Sequence, residues 1–78
     1  MLAKKEQRII AFPSTTMALK MEKCCLEQDR TGRLIPLPRE ISAGCGLAWC
    51  EPVSNEVVLL NFLKKNGIFY EKIVKMEF

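Results

Sequence analysis

The run QRIIAF from Gln7 to Phe12 is β-branched and aromatic, and Pro13 stops it, which predicts a first strand. Ser14 stands at a helix N-cap position, and residues 15–28 contain neither Gly nor Pro. Met17, Ala18, Met21, Cys24 and Cys25 fall on one broad face of that helix, with Leu19 and Leu26 nearly opposite. After a turn signal at Asp29 to Gly32, a second apolar run from Arg33 to Leu37 ends among Pro36 and Pro38. Leu47 to Cys50 read as a short third strand. Pro52 with Ser54 or Asn55 announces a second helix, in which Val57, Val58, Leu60, Asn61 and Leu63 supply the spacing, with Phe62 beside them. Asn66-Gly67 closes it with a left-handed cap. Phe69 to Phe78 then alternates as a last strand, with Tyr70, Val74, Met76 and Phe78 on one face and Glu71, Lys75 and Glu77 on the other.

Strand, helix, strand, strand, helix, strand is the order of an α+β ferredoxin-like βαββαβ sandwich, an antiparallel four-stranded sheet with two helices on one face. In that topology the turn Pro13 to Thr16, the connection Leu37 to Gly46 and the turn Asn66 to Ile68 meet at one end of the sheet. Rigid elements would there position loop residues for a small site.

A chain of 78 residues suits one domain, residues 1–78, with 1–6 as a flexible arm. A net charge of +3, from 12 basic and 9 acidic residues, is too mild and too evenly spread for a nucleic-acid footprint. The densest basic run, Lys4, Lys5 and Arg8, reads as part of a solvated arm. No apolar run approaches the ~18 residues of a membrane span, and Met1 to Phe12 lacks the apolar stretch of a signal peptide, so a cytoplasmic location is expected. Four cysteines, Cys24, Cys25, Cys45 and Cys50, are then expected as free thiols. With no histidine and no C-x-x-C pair, neither a metal site nor Cys/His catalysis of the usual form is expected, and nothing points to a cofactor. A phosphate loop and the aromatic RNA-binding strand motif are also missing.

The least ordinary stretch is LIPLPREISAGCGLAWC, whose connector of about nine residues exceeds the two to five of most hairpins. Pro36 and Pro38 stiffen its start, while Gly44 and Gly46 flank Cys45 and permit backbone angles that turn successive amides toward one point. Such amides, the guanidinium of Arg39 and the helix amino terminus at Ser14 and Thr15 would stabilise a thiolate or persulfide on Cys45. The alternative is structural: Gly-Cys-Gly as a tight turn, Cys45 as a small apolar plug, Arg39 and Glu40 as solvated charges, and Ser14 as a plain cap. Both readings stand on the residues alone.

FPSTTMAL, EKCCLEQ, LIPLPREISAGCGLA and GIFYEKI, in that order, resemble the selenium/sulfur carrier protein-like family of small bacterial domains. The similarity runs from about Ile9 to Val74, and its most specific part matches Ile35, Pro36, Pro38, Arg39, Glu40, Ile41, Ser42, Cys45 and Gly46. The Ser-Thr pair after the first strand matches Ser14 and Thr15. Ala43 and Gly44 stand where relatives carry serines, and Cys24 and Cys25 stand at aliphatic positions. The resemblance implies a carrier rather than a stand-alone catalyst: a thiol that accepts sulfur or selenium as a persulfide or selenosulfide and passes it on. Its partners would be a cysteine desulfurase or selenium- and sulfur-transfer proteins. A non-catalytic module that binds an anion or a protein at the same loops is the competing function, and pairing of edge strands into a homodimer is left open.

Overall fold

The computed structural model describes residues 6–41, 44 and 46–77. Residues 1–5, Ser42, Ala43, Cys45 and Phe78 lie outside the described residues, so the candidate thiol, most of the expected arm and the last position of the final strand are among those not described. The elements are β1 (Glu6–Ala11), α1 (Thr15–Glu27), β2 (Arg33–Pro36), β3 (Leu47–Pro52), α2 (Glu56–Lys65) and β4 (Lys72–Glu77). They form one sheet in the order β2-β3-β1-β4 with every neighbouring pair antiparallel, an α+β ferredoxin-like arrangement.

Strand alternation sorts the side chains into two cores. Ile10, Phe12 and Trp49 point to the helices and pack with Ala18, Met21 and Cys25 of α1, Leu59 and Leu63 of α2, and Ile68. Ile9, Ala11, Ala48, Cys50 and Ile35 point the other way, where Ile41 of the β2–β3 connector packs on them. No helix residue belongs to that second cluster, so both helices share one face and the connector contributes cover to the other.

Both helices are capped at each end. The Ser14 hydroxyl accepts from the Met17 amide at 3.3 Å, and the Asn55 side chain accepts from the amides of Val57 and Val58. At the carboxyl end of α2, Gly67 takes a left-handed conformation and the Ile68 amide donates to the Leu63 carbonyl at 2.9 Å. The end of α1 repeats this with Asp29 at φ 61° and the Arg30 amide on the Cys25 carbonyl at 2.8 Å.

Some expectations shift. Arg8 is not part of a solvated arm: it is buried in β1, where its Nη1 donates to Glu56 Oε1 at 3.0 Å and its Nη2 to the Ser54 carbonyl at 3.2 Å. Leu59, absent from the expected spacing, is fully buried, while Val57, Val58 and Leu60 are exposed. The helix is rotated so that positions 59 and 63, one turn apart, face the core. β3 continues to Pro52 because Glu51, only 2 % exposed, finds partners on the helix side. Arg30 grips it from two nitrogens at 3.0 and 2.8 Å, and Trp49 Nε1 donates to it at 3.0 Å. Arg30 also lies over the Phe62 ring, 5.0 Å from its centroid, which ties α2 to the same group. β4 starts at Lys72 rather than Phe69, since the Phe69 amide donates to Met17 Sδ and the Glu71 amide to the Ala11 carbonyl.

Candidate functional site

The connector of residues 37–46 is held at several points. The Leu37 amide donates to the Gly46 carbonyl at 2.9 Å, closing its root where Pro36 pairs with Leu47. The Ile41 amide donates to the Pro38 carbonyl at 3.0 Å, a tight turn that leaves Arg39 and Glu40 exposed and drives Ile41 into the second core. The Gly44 amide donates to Glu71 Oε1 at 3.1 Å. A Cβ on Gly44 would lie 3.0 Å from the Pro13 carbonyl oxygen, so a side chain there would press on the β1–α1 turn. Gly46 is glycine for a different reason: its φ is +75° and the space around it is open.

These contacts bring three segments together. Gly44 lies against Pro13, one residue before the α1 cap; Glu71 joins the connector to the lead-in of β4; and Lys20 Nζ of α1 donates to the Gly67 carbonyl at 3.3 Å. Of the residues named from sequence, Ser14 is the helix cap and Thr15 is exposed in the first turn. Arg39 is exposed, with no ion pair to a described residue. The Gly44 amide is engaged by a carboxylate, and Cys45 lies outside the described residues. Glu71 was not visible in the sequence as part of this site, because its alternation with Lys75 and Glu77 marks only a solvated strand face.

The described cysteines differ in chemistry. Burial, assisted by the nearby Glu51 charge and opposed by Arg30, pushes the Cys25 thiol up to about 12. Burial also raises Cys50, whose thiol donates to Gln7 Oε1 at 3.7 Å. Cys24 is half-buried against the helix-side core. The Cys25 shift carries a stability consequence. An unfolded thiol ionises near its ordinary value of 9.0 and the folded one only near 12, so this contribution is intact below the first value and is lost as pH rises toward the second. Unfolding free energies from urea titrations between about pH 8 and about pH 10.5 should fall with a slope of up to ~1.4 kcal/mol per pH unit from this group, and Cys25→Ala should flatten the curve. Equal slopes for the two proteins would exclude Cys25 as the source.

Among the described residues no group of three or more His, Cys, Asp or Glu side chains is placed to hold a metal ion, and no helix is long and apolar enough to cross a membrane. The molecule is thus a ferredoxin-like α+β domain whose β2–β3 connector is pinned over one end of the sheet. The chain belongs to the family described as "Putative Se/S carrier protein-like", whose model matches residues 7–75 of the 78. No match was found among curated proteins or among solved structures.

Proposed function

We propose that the domain carries sulfur or selenium on Cys45 as a persulfide or selenosulfide. Family membership supports this reading, and so does the chemistry of the other thiols: Cys25 and Cys50 are buried and held toward the neutral form, which suits packing and not nucleophilic attack. The observation that carries most weight is the anchoring of the connector on both sides of position 45, at Gly44 through Glu71 and at Gly46 through Leu37. A binding module with no acceptor thiol has no need of a cysteine between two such anchors.

In the proposed step the Cys45 thiolate attacks the outer sulfur of a donor persulfide. A sulfur–sulfur bond forms to that atom, the donor cysteine leaves as its thiolate, and the proton on the transferred sulfur moves with it, so there is no net oxidation. Arg39, exposed and free of ion pairs to described residues, is available to offset the charge of the loaded sulfur. Incubation with a cysteine desulfurase and cysteine should add one sulfur, seen by mass spectrometry, located on Cys45 and removed by reductant. Cys45→Ser should abolish loading, Arg39→Ala should slow it, and Cys50→Ala should leave it intact. Loading that persists in Cys45→Ser, or no loading from any persulfide donor, overturns the carrier reading in favour of the binding module.

A further inference from the structure

The Gly44 amide is held by a carboxylate where an uncharged acceptor would serve. Glu71 accepts its N–H at 3.1 Å, and the Glu71 backbone is fixed in turn by its own amide, which donates to the Ala11 carbonyl at 2.7 Å. Glu71 is exposed and makes no ion pair with a described residue, so no direct partner cancels its charge. Position 45 is the next residue in the chain. Covalent geometry alone keeps a thiol there within roughly 11 Å of the carboxylate, whatever its rotamer.

We infer that Glu71 is a positioning residue that restrains the loop thiol: it anchors the connector and, through its charge, holds Cys45 toward the neutral form. This rests on the reading of Cys45 as the acceptor thiol. Two effects act in the same direction. The single N–H of Gly44, a donor that a sulfur anion beside it would otherwise draw on, is already taken by an oxygen. A negative charge at that range also raises the free energy of a thiolate, because the two like charges repel through solvent. The other charged groups around Glu71 and the connector are Arg39 and Glu40, Lys20 of α1, Lys72 and Lys75 of β4, and the paired Arg8 and Glu56 across the neighbouring groove. Arg39 and the lysines oppose the restraint and Glu40 adds to it. All of them stay in place when Glu71 alone is changed.

Iodoacetamide is uncharged, so its rate at Cys45 follows the thiolate fraction and not attraction of the reagent to Glu71. Mass spectrometry of the peptide bearing Cys45 gives that rate against pH. Glu71→Gln keeps an acceptor oxygen for Gly44 and removes the charge. Its midpoint should lie below that of the unaltered protein by a few tenths to about one pH unit at low salt. The difference should be present at ~10 mM salt and vanish near 1 M, where the screening length is about 3 Å. Glu71→Ala loses anchor and charge together and should move the midpoint at least as far at low salt. If only Glu71→Ala moved it, Glu71 would be an anchor alone and the inference would be overturned. A shift in Glu71→Gln that survived 1 M salt would overturn it too, since charge would not be the cause. The carrier reading fails separately: a domain that shows the midpoint shift yet accepts no sulfur from any persulfide donor keeps the restraint by Glu71 and loses the carrier function.

Discussion

Glu51→Ala is expected to destabilise the domain by about 3 kcal/mol or more, because it removes one partner of a buried ion pair and leaves the other uncompensated. Glu51 ties together three elements: β3, on which it sits; Arg30, just after α1; and Phe62 of α2, through Arg30. It also accepts from the indole of Trp49. Without the carboxylate, the Arg30 guanidinium, mostly withdrawn from solvent, and the Trp49 N–H both lose a charge-assisted bond. Glu51→Gln keeps the shape and one acceptor oxygen, and should cost about half as much, as expected when a bond to a charged group becomes a neutral one. Urea unfolding followed by circular dichroism separates the two. A loss below about 1 kcal/mol for Glu51→Ala would place the pair among those contributing little, as exposed pairs do.

Gly32→Ala should be nearly as damaging, for a steric reason. Gly32 has a φ of +156°, and a Cβ there would lie 2.6 Å from Trp49 Cε2, Cζ2 and Nε1. The ring cannot yield easily: it is 2 % exposed and its nitrogen is bonded to Glu51. A loss of about 2 to 4 kcal/mol is expected, combining overpacking with an unfavourable backbone angle. Trp49 is the chain's one tryptophan, so its fluorescence should report the displaced ring directly. Gly46→Ala is the control, with open space and only a positive φ to satisfy, and it should cost about 1 to 2 kcal/mol. If Gly32→Ala were no worse than Gly46→Ala, the contact with the indole would not be limiting.

The order of elements was legible because punctuation marks it: Pro13 and Ser14 between β1 and α1, Asn55 before α2, Asn66-Gly67 after it. Charged residues in central strands were not. Arg8 and Glu51 look like surface positions in a sequence, since their partners, Glu56 and Arg30, are 48 and 21 positions away and only the fold brings them near. The face of α2 was misplaced because Val57, Val58, Leu59 and Leu60 form an unbroken apolar run, in which no period singles out Leu59. At the site, the length and the glycines of the connector were visible, but its contacts were not. Ile41 reads as one more isoleucine, yet it covers the helix-free face, and Glu71 reads as one more surface acid, yet it holds Gly44.

The burial of Ile41 bears on how freely the connector can move. Lifting the connector off the sheet would bring Ile41, and the Ile9, Ala11 and Ala48 surfaces it packs on, into water, at roughly 25 cal/mol for each Å² of apolar area uncovered. If the domain is the carrier proposed above, it resembles a fixed peg more than a swinging arm. Any molecule that reached the connector would then meet the whole end of the sheet, with Pro13 and the exposed corner at Arg39 and Glu40 side by side.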